Sequence, residues 1–132
     1  MITILGIGKT KEQFLKEGIN EYLKRLQKYA SLKYKEMESI PETKGFTITL
    51  DIKGKEFSSE EFAEYLKKKT LEQKNITFVL GDSPGLPEEF LNKCQDRISL
   101  SKMTFPHQLV RLIFLEQLYR AFSIIHHEPY HK

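Results

Sequence analysis

Cysteine is almost missing from this chain. Cys94 stands alone, so no internal disulfide can form and no thiolate cluster can hold a metal. Tryptophan is absent, and no apolar run approaches the roughly 20 residues that a bilayer span requires. The longest strongly apolar stretch, residues 109–115, is broken by Arg111 and followed by Glu116, so no membrane partner is expected. The first residues carry neither a basic leader nor a small-residue cleavage site and read as a strand rather than a signal peptide, which predicts a cytoplasmic protein. No charge of one sign dominates either. The 21 Lys and Arg against 18 Asp and Glu leave a formal charge of +3, compatible with RNA and equally with many other partners. Lys24, Arg25, Lys28, Lys33 and Lys35 gather around one helix-to-strand junction, and Lys67, Lys68 and Lys69 on a later helix. Each cluster taken alone reads as a solvated face.

What is present is a globular composition: 39% hydrophobic and 30% charged, with nine Phe and six Tyr in 132 residues, a length that suits a single domain over residues 1–132. Residues 2–7 form a short β-branched run closed by Gly8, the pattern of a strand covered on both faces. Residues 11–29 carry Phe14, Leu15, Ile19, Tyr22, Leu23 and Leu26 at helical spacing. Strands are predicted at 32–40, ending at Pro41, and at 46–52 between Gly45 and Gly54. Ser58 and Glu61 form a capping box for a helix reaching about residue 73. A buried strand at 76–80 runs into Gly81-Asp82-Ser83-Pro84-Gly85, and Pro87 suits the start of a short helix. A strand at 97–100, a loop and a long helix at 106–126, stopped by Pro129, complete the chain. Strands alternating with helices predict an α/β fold with a mostly parallel sheet and helices on both faces. Ligands of such sheets bind outside the carboxyl ends of the strands.

Three segments carry chemistry. The glycine turn after Leu80 can bring backbone close to a ligand, although a plain tight turn explains it equally, and neither a Rossmann fingerprint nor a phosphate loop is present. The loop from Ser99 to His107 mixes small, polar and apolar residues in a way that can cradle an adenosine, with Met103 and Phe105 covering the purine. The competing reading is that both merely finish the core. The last helix has apolar residues nearly all around it, from Leu109 to Ile125, more than a monomer of this size can cover, which predicts a symmetric homodimer. The tail offers His126, His127 and His131 with Glu128. A metal site is disfavoured because His126 and His127 point apart on a helix, and a polar tail lying near a substrate is the better reading.

Read together, Leu100-Ser101-Lys102-Met103-Thr104-Phe105-Pro106-His107, Arg111, Glu116-Gln117-Leu118-Tyr119-Arg120-Ala121 and Pro129-Tyr130-His131-Lys132 resemble the RlmH family of SPOUT-class methyltransferases. The likeness extends to the N-terminus through Ile4-Leu5-Gly6-Ile7-Gly8-Lys9 and Glu21-Tyr22-Leu23-Lys24-Arg25-Leu26. It implies a SPOUT-type fold with a C-terminal trefoil knot, a homodimer, and methylation of N3 of pseudouridine 1915 in helix 69 of 23S ribosomal RNA within the ribosome. RNA rather than DNA is then the partner. S-adenosyl-L-methionine is the implied cofactor, held by Leu50, Gly81, Leu100, Ser101, Lys102, Met103, Thr104 and Phe105. His107, Tyr130 and His131 are the candidates for the proton acceptor, with Arg111, Arg120 and Lys132 contacting RNA phosphate, though Arg120 can instead pair with Glu116. The alternative is a non-catalytic ribosome- or RNA-binding module of the same fold. Two departures stand out: the family carries Gly-Gly-x-x-Gly where this chain has Gly81-Asp82-Ser83-Pro84-Gly85, and the stretch between Ile40 and Phe46 is shortened.

Overall fold

The computed structural model describes residues 1–82 and 85–132, so Ser83 and Pro84 of the predicted glycine turn lie outside the described residues. Five strands, β1 (Ile2–Ile7), β2 (Leu32–Met37), β3 (Phe46–Glu56), β4 (Ile76–Leu80) and β5 (Asp96–Ser99), form one sheet in the order β2-β1-β4-β3-β5. Every pairing in it is parallel. Helices α1 (Gln13–Leu26), α2 (Ser59–Glu72) and α4 (His107–Ile125) share one face of the sheet. There α4 lies between α1 and α2, and Phe114, Leu115 and Leu118 meet Ile4, Ile48 and Phe78 in the main core. The short α3 (Glu88–Lys93) covers part of the opposite face, where its Phe90 joins a smaller cluster of Leu5, Ile7, Val79 and Leu86.

Local chemistry sets several boundaries. Ser58 Oγ accepts from the Glu61 N–H at 3.0 Å while Glu61 Oε1 accepts from the Ser58 N–H at 2.7 Å, the reciprocal capping expected from the sequence. At the far end of α4, the Glu128 N–H donates to Ser123 O and the His127 N–H to Ile124 O, a Schellman closure that places His127 at φ +56°. That conformation costs a side chain about 1 kcal/mol. Replacing His127 with Gly is therefore expected to raise the unfolding free energy by about 1 kcal/mol in urea titration, and a neutral or destabilising result would contradict this account of the cap.

Two features depart from the sequence expectation. β3 continues past Ile52 to Glu56, and its pairing with β5 jumps: Leu50 and Lys55 both lie opposite Ile98, so residues 51–54 bulge out of the ladder. Gly54 makes this possible by lying against the backbone of Arg97 and Ile98, where a Cβ would sit 2.6 Å from Ile98 C. The second feature is the link from β2 to β3. Parallel crossovers usually take a dozen or more residues and a helix, yet here residues 38–45 cross with no regular structure. The strand order obliges them to pass β1 and β4, about 14 Å sideways and about 17 Å back along the strands, a span of about 22 Å out of the roughly 30 Å that eight residues can reach. Its Ile40 packs into the smaller cluster, making the link a strap over the thinly covered face.

Candidate active site

The carboxyl ends of β3, β4 and β5 open into a cleft of about 460 Å³. Its walls are Leu50, Asp51 and Ile52 from the β3 bulge, Leu80 to Asp82 and Gly85-Leu86 from the turn after β4, and residues 99–101 and 103–107 with Val110 from β5 onward. Among the residues expected to hold a cofactor, Leu50, Gly81, Leu100, Ser101, Met103, Thr104 and Phe105 line this cleft. Lys102 is exposed and does not. Volume and lining suit a nucleoside-sized ligand, because such sites span about 300–1,000 Å³ with mostly apolar walls and a few polar groups. Residues 102–106 belong to no helix or strand, which leaves their backbone outside any ladder, and Ser101 Oγ fixes the loop by accepting the Met103 N–H at 2.9 Å. Gly81 is needed for packing: a Cβ there would lie 2.9 Å from Leu86 Cγ. Asp51, Ile52, Leu80, Asp82, Leu86 and Val110 were not singled out from the sequence as ligand contacts. Only adjacency to Leu50 and Gly81 could have pointed to the first four.

His107 opens α4 at the rim of the cleft, and its Nε2 contacts Asp82 Oδ1. The helix start is held by Gln108, whose Oε1 accepts the Lys11 N–H and whose amide donates to Lys9 O, both at 2.8 Å. One turn further on lies Arg111, and here the structure corrects the sequence reading. Arg111 was expected to reach RNA phosphate, but its side chain is 0% exposed. Its guanidinium donates to Ile7 O at 2.5 Å, Gly8 O at 2.7 Å, and Thr10 Oγ1 and Glu36 Oε2 at 3.1 Å. Gly6 gives it room, since a Cβ there would press on the guanidinium at 3.1 Å, and Gly8, at φ +91°, lies against the Asp82 carboxylate. Burial pushes the Glu36 carboxyl up, but hydrogen bonds from Thr10 and Tyr34 and the Arg111 charge prevail and hold it below the ordinary value. Arg111 thus ties α4 to the ends of β1 and β2 beneath the cleft.

The tail is placed elsewhere. Tyr130 Oη donates to Glu116 Oε2 at 2.7 Å and meets Tyr22 Oη at 3.1 Å, and burial together with these two partners raises the Tyr130 pKa well above its usual range. Arg120 bonds both Glu116 Oε2, at 2.8 Å, and His131 Nδ1, at 2.9 Å, and its guanidinium lies 4.9 Å from the Tyr130 ring centre. His131 Nε2 lies 3.4 Å from Glu60, and Lys132 is exposed. His107 and Arg120 are thirteen residues apart on one helix, about 20 Å. Within one chain, then, Tyr130, His131 and Arg120 form a group of their own, and His107 alone among the proton-acceptor candidates lines the cleft.

Comparison with known proteins agrees with this architecture. A family model described as "Predicted SPOUT methyltransferase" matches residues 1–131. The chain is 46% identical to ribosomal RNA large subunit methyltransferase H of Carboxydothermus hydrogenoformans and 44% identical to that of Acetivibrio thermocellus, in each case covering 99% of both chains. Each alignment spans 157 positions against 132 residues here, so these relatives are longer by about 25 internal positions. A solved structure titled as a probable methylase family protein from Haemophilus influenzae shares the fold, with a TM-score of 0.62 at 14% identity over 99% of this chain and 70% of that one. Sheet, cleft and sequence together make this chain a member of the SPOUT methyltransferase family.

Proposed function

We propose that this protein methylates ribosomal RNA of the large subunit, transferring the methyl group of S-adenosyl-L-methionine to N3 of pseudouridine 1915 in helix 69 of 23S ribosomal RNA. The observation that carries the reading is the apolar cleft at the carboxyl ends of β3, β4 and β5, walled by the loop from Leu100 to Phe105, in a chain 46% identical to a large-subunit ribosomal RNA methyltransferase. Bound there, the cofactor supplies an electrophilic methyl group on a sulfonium. Leu50, Gly81, Leu100, Ser101, Met103, Thr104 and Phe105 hold it and exclude water, so the chain's contribution is largely positioning and desolvation. N3 of pseudouridine carries an imide proton that must leave; in this reading His107 accepts it directly or through water, which its position at the rim of the cleft supports.

Tyr130 and His131 can serve the same reaction only by reaching the cleft of a second copy, which makes the homodimer part of the proposal. Half-exposed Leu109, Leu112 and Ile113 on α4 supply an apolar surface for such a contact. Arg120 and Lys132 are then the cations offered to RNA phosphate, while Arg111 serves the fold. The trefoil knot belongs to the same reading, on the strength of the resemblance. Incubation of ribosomes lacking the modification with labelled cofactor is expected to label helix 69, with incorporation falling at least about tenfold for Gly81→Val or His131→Ala. A purified protein that binds the cofactor in calorimetry yet never labels ribosomal RNA would instead establish the non-catalytic binding module.

A further inference from the structure

The cleft is acidic in a basic protein. Among the described residues, the side chains lining it that can carry charge are Asp51, Asp82 and His107, and neither Lys nor Arg is among them, although the chain as a whole carries +3. The two carboxylates come from different elements, Asp51 from the β3 bulge and Asp82 from the turn after β4. Both are held in place. The Lys53 N–H donates to Asp51 Oδ2 at 3.3 Å, and Asp82 is fixed between His107 Nε2 and the backbone of Gly8, whose missing side chain leaves room for the carboxylate. The lining thus sets two carboxylates and no Lys or Arg on a partly enclosed, apolar-walled site, where Coulomb interactions are stronger than in water.

We propose that these carboxylates make the cleft charge-selective, and that Asp82 above all lets it distinguish a sulfonium ligand from the neutral thioether left after methyl transfer. The inference rests on the cofactor reading given above and deepens it. S-adenosylmethionine and S-adenosylhomocysteine share adenosine, amino and carboxylate groups and differ at sulfur by one methyl and one positive charge. Apolar contacts with the adenosine therefore hold both equally, whereas a carboxylate beside the cleft favours only the charged one at sulfur. The consequence is release: once the methyl has left, the attraction at sulfur ends and the product is held less tightly than the cofactor that replaces it. Asp82 occupies the place of the second glycine in the family pattern, so this chain gains the effect from a residue that the pattern does not supply.

The test is isothermal calorimetry of the full-length protein with S-adenosylmethionine and with S-adenosylhomocysteine, comparing the wild type with Asp82→Asn, which keeps the shape, and with Asp51→Asn. The quantity read is the ratio of the two dissociation constants. Asp82→Asn is expected to weaken S-adenosylmethionine about tenfold and leave S-adenosylhomocysteine within about twofold, with a smaller effect from Asp51→Asn, and added salt is expected to compress the wild-type ratio. Equal weakening of both ligands, or no change in the ratio, would overturn the inference while leaving the cofactor reading intact. Failure of the wild type to bind either ligand would overturn the cofactor reading and the inference with it.

Discussion

Replacing Arg111 with Met is expected to cost about 3 kcal/mol of stability, read as a shift in the urea midpoint at constant slope and as a fall of about 10 °C in Tm. Methionine retains much of the volume but removes four hydrogen bonds from a wholly buried guanidinium and leaves the carbonyls of Ile7 and Gly8 without their partner. Lysine is expected to recover little, because a single ammonium cannot meet two carbonyls, a hydroxyl and a carboxylate from one fork. The effect has a pH signature. Glu36 is held below its ordinary pKa of 4.5 in the folded protein, so it favours the native state above that value, and the contribution is lost as pH falls through the folded pKa. Arg111→Met removes one of the influences that depress it, so the acid-unfolding limb of the variant is expected to move to higher pH. Loss of less than about 1 kcal/mol would mean that neighbouring groups or water replace the guanidinium.

Gly54→Ala is expected to damage both the fold and the site. The added Cβ would lie 2.6 Å and 2.7 Å from the carbonyl carbon and nitrogen of Ile98 and 2.8 Å from the carbonyl carbon of Arg97. All three are backbone atoms that cannot rotate aside, so β3 and β5 must separate, at a cost of about 3 kcal/mol. Since the β3 bulge and the segment after β5 form facing walls of the cleft, affinity for S-adenosylmethionine is expected to fall at least about tenfold in calorimetry, even at temperatures where the variant stays folded. An alanine variant with native affinity would show that the bulge does not shape the site.

How far the sequence disclosed all this depended on distance along the chain. The Ser58–Glu61 capping box involves residues three apart and was readable directly, as were the apolar runs of β1 and β4, whose composition alone marks them as buried. The continuation of β3 beyond Ile52 was not, because it depends on partners more than 40 residues away in β5 and on a glycine whose role is only to let another backbone approach. Arg111 was misread for the same reason. An arginine in an apolar helix signals either a ligand contact or a buried pair, and its acceptors, Ile7 O, Gly8 O, Thr10 and Glu36, lie 75 or more residues earlier. The one local hint was Gly6 and Gly8, two residues without side chains at the end of a strand. That the loop from Leu100 to Phe105 walls a cleft was legible because a strand runs there into mixed small, polar and apolar residues before a helix begins. That Tyr130 and His131 fold back onto Glu116, Arg120 and Tyr22 was not, since no periodicity places a tail.

The strap between β2 and β3 behaves as a one-sided limit on chain length. Spanning three strand spacings and most of a strand uses about 22 Å of the roughly 30 Å that eight residues can reach, so deleting about three or more would force β2 or β3 out of register. Lengthening is nearly free by comparison, since each doubling of a loop costs only about 0.6 kcal/mol in closure entropy. Length at this crossover is therefore free to grow but can shrink by only a residue or two before the sheet itself must shift.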